Sequence, residues 1–324
     1  MKLALVLCLL AAAPPLFAQS YAARDEVKTF IDEVVKRHGF KSAELTRLFS
    51  KVQRVDPALK LILPSEQRPS WDDYRAQFVN ETRVANGLAF WKENRRSLKR
   101  AEEKYGVPAQ IIVAIIGVET NYGRNMGRYR VIDALSTLAF DYAPRASFFR
   151  GELEQYLLLA REEGLDVFAT RGSYAGAIGI PQFMPGSLRR YAVDFNGDGR
   201  IDLTRSSADA VGSVANFLKQ HGWQTGGPVL LKAKPSPEAL ARYMDGSLEP
   251  RYRMDELAGA GLELEQAAPS PDTLGTLVAL GAEYRVGLRN FYVITRYNRS
   301  ALYAAAVNDL GDALAERRQR PAAR

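Results

Sequence analysis

The sequence predicts an α+β protein, predominantly α-helical, and three observations carry that expectation. Apolar residues recur at helical spacing between about residues 22 and 105. Residues 107–123 form a run apolar on every side, as in a buried helix. After Gly226-Gly227-Pro228 the pattern changes to short strand-like segments, residues 229–232 and 276–280, separated by Pro and Gly.

Taken in chain order, residues 1–18 read as a secretory signal: Lys2 is the charged start, residues 3–13 the apolar run, Pro14-Pro15 the break, and Leu16-Phe17-Ala18 a cleavage site. The run is shorter than the roughly 20 residues a bilayer requires, and no second candidate follows. Cys8, the only cysteine, sits inside it after the bulky Leu7, a poor setting for lipid attachment. Cleavage would leave no thiol and no disulfide, so stability must come from burial. The net charge of +7 points to an acidic partner, for an exported protein an anionic polymer or membrane surface rather than nucleic acid.

Val27, Phe30, Ile31, Val34 and Val35 mark one helix face, with Gly39 as its stop, and Leu45, Leu48, Phe49 and Val52 mark another. Pro57, Pro64 and Pro69 interrupt the pattern. Ser70 with Asp73 predicts a capped restart for one long helix carrying Trp71, Tyr74, Phe78, Val84, Leu88 and Trp91, all read as core. Leu302, Ala305, Ala306, Val307 and Leu310 predict a C-terminal helix, fraying from Arg317. The resulting division is a signal at 1–18, a helical region at 19–105, a core at 106–225, a small inserted α+β domain at 226–288, a return to the core at 289–312 and a basic tail at 313–324.

Glu119 is the most informative residue. Pro108 suits the first turn of the apolar helix and Asn121-Tyr122-Gly123 its end, so Glu119 falls in the last turn. Apolar surroundings and the negative end of the helix dipole both disfavour a carboxylate there, which is how a Glu becomes a general acid near neutral pH. An ion pair with Arg124 or Arg128 is the other reading of the same position.

Two loops stand out. Residues 172–185 place glycines beside Gln182 and two aromatics, which implies a closely approached backbone or a tight packing loop. Residues 194–202 reproduce the first nine positions of an EF-hand loop: Asp194, Asn196 and Asp198 at positions one, three and five, Gly199 at the turn, and the Arg200 carbonyl at seven. Position twelve is Arg205, so the last carboxylate must come from elsewhere, and Asp209 is the candidate. Structural Ca²⁺ and a metal-free Asx-rich turn both account for this pattern.

Gly117-Val118-Glu119-Thr120-Asn121-Tyr122-Gly123, Gly172-Ser173-Tyr174-Ala175-Gly176-Ala177-Ile178-Gly179, Gln182-Phe183-Met184-Pro185, Asp194-Phe195-Asn196-Gly197-Asp198-Gly199, Gly212-Ser213-Val214-Ala215-Asn216-Phe217 and Ile294-Thr295-Arg296-Tyr297-Asn298 converge on one family. The chain resembles soluble members of the membrane-bound lytic transglycosylase B group, murein-cleaving enzymes with a lysozyme-like core. The resemblance implies Glu119 as catalytic acid and base, Ser173, Gln182, Tyr297, Asn298 and Tyr303 along the saccharide groove, and one Ca²⁺ in the Asp194 loop. It also implies peptidoglycan glycan strands as substrate, cell-wall synthesis or division proteins as candidate partners, and a soluble periplasmic location, since no N-terminal cysteine for a lipid anchor survives cleavage. Phe217 departs from relatives that carry a Tyr at that position.

Most glycosidases need two carboxylates. The Glu119 motif supplies one, with Asp133, Asp141 and Glu152 open as a second. The resemblance instead implies one residue acting twice, first protonating the bridge oxygen and then deprotonating the muramyl C6 hydroxyl to close a 1,6-anhydro ring. It leaves Ser173 or Asn298 to orient the N-acetyl group, and Tyr122, Tyr174, Phe183 and Tyr297 as candidates to stack on sugars. A hydrolytic muramidase and a non-catalytic wall-binding protein are the competing readings.

Overall fold

A computed structural model describes residues 20–63, 69–267 and 269–319. The signal segment and Pro64 lie outside these residues. Two compact units divide the chain after Arg54.

In the first unit, α1 (Asp25–His38) and α2 (Ser42–Phe49) pack through Phe30 and Phe49, whose rings meet edge-on at 6.0 Å. Val27, Phe30, Ile31 and Val34 form the buried stripe that their spacing predicts, and Gly39 ends α1 at φ 68°.

The second unit begins with α3 (Asp56–Leu61), where Pro57 sits in the first turn and starts a helix rather than only interrupting one. The single long helix expected from Ser70 is two: α4 (Trp71–Phe78) and α5 (Glu81–Glu93). Ser70 caps the first by accepting from the Asp73 amide, but Asn80 caps a second start by accepting from Arg83, and that local bond breaks the run. Next come α6 (Arg95–Tyr105) and α7 (Ala109–Thr120). The short antiparallel pair β1 (Tyr129–Arg130) and β2 (Arg171–Gly172) brackets α8 (Val131–Asp141) and α9 (Ala146–Glu162). Then α10 (Pro185–Tyr191) leads through the Asp194 loop into α11 (Ser207–Gln220).

The change of texture after residue 226 corresponds to a sheet. Strands β3 (Leu230–Pro235), β4 (Tyr252–Arg253), β5 (Leu262–Leu264), β6 (Leu274–Leu280) and β7 (Glu283–Gly287) pair antiparallel in the order β4-β6-β7-β3-β5. Two short helices, α12 (Pro237–Tyr243) and α13 (Met254–Gly259), cover it. Leu231, Leu257, Leu262, Leu277 and Val286 form its core. The chain then re-enters the helical layer through α14 (Arg289–Tyr297) and α15 (Ala301–Gln319). The basic end expected to fray at Arg317 stays helical to Gln319, because Arg317 pairs with Glu81 at 2.7 Å and Arg318 lies over Trp91 at 4.6 Å. Among the described residues, no helix is long and apolar enough to cross a membrane.

Everything around the site is anchored by α7, which packs against α5, α6, α11 and α15. Ile112, Val113, Ile115 and Ile116 are wholly buried, and each such side chain contributes about 1.5–3 kcal/mol of burial. Gly87 and Gly117 open a slot between α5 and α7 that the Tyr122 ring fills. A Cβ on Gly117 would stand 2.5 Å from the Tyr122 hydroxyl oxygen. That hydroxyl is buried without a hydrogen-bond partner among the described residues. A cluster of charges joins the sheet to the helices: Asp309 on α15 accepts from Arg75 (2.7 Å) and pairs with Arg285 on β7, while Glu283 accepts from Arg285 (2.6 Å) and Trp71 (3.2 Å).

The slot generates a test. Gly117→Ala should cost about 2 kcal/mol through overpacking, whereas Tyr122→Phe, which deletes an unpartnered buried hydroxyl, should stay within about 1 kcal/mol of the parent. In the double variant Tyr122→Phe should restore part of the loss. Strict additivity in chemical denaturation would show that Tyr122 does not fill the slot.

Candidate active site

Helix α7 ends on two consecutive residues in left-handed conformation, Asn121 (φ 50°) and Tyr122 (φ 62°). For a bulky Tyr this is strained backbone, held here by the Gly87–Gly117 slot. Three carbonyls near the helix end are engaged by the turn that follows and by α5: Gly117 accepts from the Asn121 amide (3.0 Å) and from Arg83 Nη1 (2.6 Å), Ile116 from the Tyr122 amide (3.3 Å), and Thr120 from the Asn125 amide (2.9 Å). Glu119 is therefore fixed in the final turn of a rigid helix, partly exposed.

Glu119 Oε1 accepts a hydrogen bond from the Tyr303 hydroxyl at 2.6 Å. Arg124 turns instead toward the Asn121 carbonyl, so the ion-pair reading of Glu119 finds no support there. Burial raises the Glu119 pKa to about 7, opposed by the Tyr303 hydrogen bond, which favours the ionised form. Neither cause is a second carboxylate. Two of the three acids considered for that role are engaged elsewhere, Asp133 with Arg130 at 2.5 Å and Glu152 with the Gly186 amide at 2.8 Å, and the third, Asp141, is the last residue of α8.

Three tyrosines from three helices gather around this carboxyl. Tyr303 on α15 touches it, and Tyr297 at the end of α14 lies nearly parallel to Tyr303, ring centres 6.5 Å apart. Burial, then the Glu119 charge, drives both phenols well above their ordinary pKa. Tyr74 on α4 is pushed up to about 12 by the same two causes in the same order. Tyr74 is the site residue that sequence reasoning missed, because it shares helical spacing with Trp71 and Phe78 and reads as core. No feature of the sequence separates a half-buried Tyr facing an acid from one facing Leu.

The loop at 172–185 packs against the end of α7 and against Tyr297. Its glycines answer to the protein's own chain: a Cβ on Gly179, at φ 73°, would collide with the Leu203 carbonyl. Thr120, next to Glu119, donates to the Ile180 carbonyl at 2.8 Å and accepts from the Gly123 amide at 2.9 Å, which ties the loop to the end of α7. Ser173 Oγ accepts from the amides of Ala175 (3.2 Å) and Ala177 (3.0 Å). Gln182, at φ 52°, donates through Nε2 to the carbonyls of Gly179 (2.8 Å) and Met126 (3.2 Å). The Tyr297 hydroxyl donates to the Pro181 carbonyl at 2.5 Å, and its ring meets Phe217 edge-on at 4.8 Å. Asn298 is exposed just beyond α14. Two of the aromatics considered for sugar stacking are spent on the core: Tyr122 in its slot, and Phe183, 2% exposed, against Tyr297 and Phe217.

The Asp194 loop is a network of carboxylate-to-amide bonds. Asp194 Oδ1 accepts from Gly197 (2.7 Å) and Asp198 (3.2 Å), its Oδ2 from Gly199 (2.8 Å), and Asp198 Oδ1 from Arg200 (2.9 Å). Those amides, Gly199 foremost, hold the Asp194 carboxyl below the usual range. Asn196 Nδ2 donates to Asp198 Oδ2 at 2.8 Å. Asp209, fully buried at the start of α11, faces the loop and accepts from the amides of Phe195, Asn196 and Asp202. Among the described residues, no three carboxylate, imidazole or thiol groups gather into a metal site by themselves. The loop instead presents a mixed set of hard oxygens from carboxylates, an amide and a main-chain carbonyl, chemistry that fits Ca²⁺.

Residues 22–312 match the transglycosylase SLT domain family. The chain is 43% identical over 308 residues to the membrane-bound lytic murein transglycosylase B of Escherichia coli (strain K12), covering 91% of this chain and 84% of that one. Its fold superposes on the soluble lytic transglycosylase SltB1 from Pseudomonas aeruginosa with a TM-score of 0.84 at 47% identity, covering 91% of this chain and 100% of that one. It also superposes on the Escherichia coli lytic transglycosylase Slt35, solved in complex with calcium, with a TM-score of 0.82 at 42% identity, covering 93% and 96% of the two chains. The helix-rich, lysozyme-like architecture is thus shared from end to end, and the chain belongs to the SLT-domain family of lytic murein transglycosylases.

Proposed function

We propose that this enzyme cleaves the β-1,4 bond between N-acetylmuramic acid and N-acetylglucosamine without water, with Glu119 as its single acid and base. The observation that carries this reading is a carboxyl whose pKa burial raises to about 7 and whose carboxylate oxygen accepts from a phenol. A group at that pKa is populated in both forms at neutral pH, as an acid that later acts as a base must be. Protonated Glu119 gives its proton to the bridge oxygen as the bond from C1 breaks. The resulting carboxylate, steadied by the Tyr303 hydroxyl, takes the proton from the muramyl C6 hydroxyl as O6 bonds to C1. Glu119 ends as it began, and the product is a 1,6-anhydro sugar one water lighter than a hydrolysis product.

Ser173 contributes through what its hydroxyl has left. Both acceptor positions are taken by the Ala175 and Ala177 amides, so its proton is available to donate to an N-acetyl carbonyl. Tyr297 packs against the same loop and is followed by the exposed Asn298, and Gln182 keeps its carbonyl oxygen free of the bonds that fix its nitrogen. Ca²⁺ would be held by Asp194, Asn196, Asp198 and the Arg200 carbonyl, with Asp209 closing the set. It would supply positive charge to bind a carboxylate-rich turn between α10 and α11, a bracing role rather than a chemical one. Peptidoglycan as substrate and a periplasmic location after signal cleavage complete the reading.

Mass spectrometry of products released from murein sacculi tests the reaction. Anhydro muropeptides from the parent and none from Glu119→Gln are expected; reducing ends would mean a hydrolase, and no release a binding protein. The turnover rate should fall as pH rises through about 7, where Glu119 loses its acid form. Stability runs the same way. Below about 4.5 the carboxyl is protonated in both states, between 4.5 and 7 only the unfolded chain ionises, and above 7 the folded state bears the full burial cost. Glu119→Gln should therefore be more stable than the parent by up to about 3 kcal/mol at pH 8 and by nothing from this source at pH 4. Equal melting shifts at both pH values would argue against the raised pKa. Chelation by EGTA should lower Tm while leaving turnover at low temperature intact; an unchanged melting curve would count against a bound ion.

A further inference from the structure

Beyond the tyrosines, the end of α14 borders a separate cavity of about 470 Å³, a size within the roughly 300–1,000 Å³ of small-ligand sites. One wall is the loop of residues 245–251 from the inserted sheet domain, and the other is Tyr292, Arg296 and Arg299. The carboxylates of the loop wall are already matched. Asp245 accepts from the Ser247 amide at 2.8 Å and the Tyr252 hydroxyl at 3.0 Å, and Arg251 reaches Asp245 at 4.0 Å and Glu249 at 3.5 Å.

The helix wall is not matched. Arg296 lies over the Tyr292 ring at 4.3 Å and its Nη2 donates weakly to Thr295 Oγ1 at 3.5 Å, which fixes its guanidinium, yet its Nε is buried with no hydrogen-bond partner among the described residues. Arg299 is exposed, and neither arginine forms an ion pair with any described carboxylate. The Arg296 charge is felt nearby: it helps depress the His221 pKa, after burial. Planar guanidinium forks with spare donors at the wall of a cavity are suited to a carboxylate.

We infer that this cavity binds a carboxylate of the short peptide carried by a muramyl residue, while the glycan lies along Tyr297 and Glu119. The inference rests on the substrate reading above. Arg296 and Arg299 flank Tyr297 and Asn298 in the chain, so the Cα of Arg299 lies within about 8 Å of that of Tyr297. Three or four extended residues span roughly 10–14 Å, enough for a peptide leaving the glycan to reach the cavity. In this role Arg296 and Arg299 determine specificity and take no part in bond cleavage.

Calorimetry on Glu119→Gln protein, with a disaccharide-tetrapeptide and the same disaccharide without peptide, separates this inference from the reaction itself. The peptide-bearing ligand should bind roughly tenfold tighter, and Arg299→Gln or Arg296→Gln should abolish that advantage while leaving the peptide-free ligand unchanged. Equal affinity for the two ligands, or a loss that affects both alike, would overturn it. So would inorganic phosphate binding as tightly as the peptide-bearing ligand, which would make the cavity a general anion site. If neither sugar binds, the substrate reading fails, and titration of the free tetrapeptide into the parent and Arg299→Gln proteins decides the cavity alone: binding lost in the variant supports it, and no binding overturns it. A parent enzyme that binds the peptide-bearing ligand but releases no product would sink the reaction and leave the cavity standing.

Discussion

A helix buried on all sides that ends on an acid is the constraint around which the molecule is arranged. The helix is buried along its length, so carbonyls near its end gain from partners inside the protein. Arg83 from α5 and the turn at Asn121 and Tyr122 provide them. That turn demands left-handed backbone from two residues with side chains, and the two glycines that admit the Tyr122 ring make it tolerable. The position of Glu119 is the product of these demands. Polar satisfaction of the helix end and reactivity of the acid are solved by the same few residues.

The remaining elements aim polar tips at one carboxyl. Helices α4, α14 and α15 each deliver a tyrosine, and the loop after β2 is laced to α7 through Thr120. Tyr303 shows how a residue can be core and site together: its ring is 2% exposed, yet its hydroxyl meets Glu119. The phenol lowers the cost of ionising the acid, while burial raises it, and the balance falls near neutrality. A bare apolar pocket would hold the proton too tightly for a group that, in the proposed reaction, gives it up and takes it back.

Much of this was legible in the sequence, for reasons that differ by element. The α7 boundaries followed from Pro108 and Asn121, and two of the five sheet strands, β3 and β6, from short segments set off by Pro and Gly, because these are local properties of the chain. The raised pKa of Glu119 was legible because an acid at the end of an apolar run is costly to ionise. The break between α4 and α5 was missed because the Asn80 side chain overrode an uninterrupted apolar pattern. Tyr74, the Arg285–Asp309 cluster and the slot under Tyr122 depend on contacts between residues far apart in the chain, which no local spacing records. The glycines of the 172–185 loop were noticed, but the atoms that require them belong to Ala177, Leu135 and Leu203 of the protein itself.

The bond from Tyr303 to Glu119 spans 184 positions of chain, and that separation bears on when the protein becomes dangerous to its maker. Ribosomes release the acid early, with its apolar helix, and the tyrosine only after the whole sheet domain has been made. A nascent chain therefore carries the acid without the partner that steadies its ionised form. If Glu119 is the acid proposed above, the arrangement that cuts arrives last, when α15 docks on α7, so the order of synthesis itself withholds it until the chain is nearly complete.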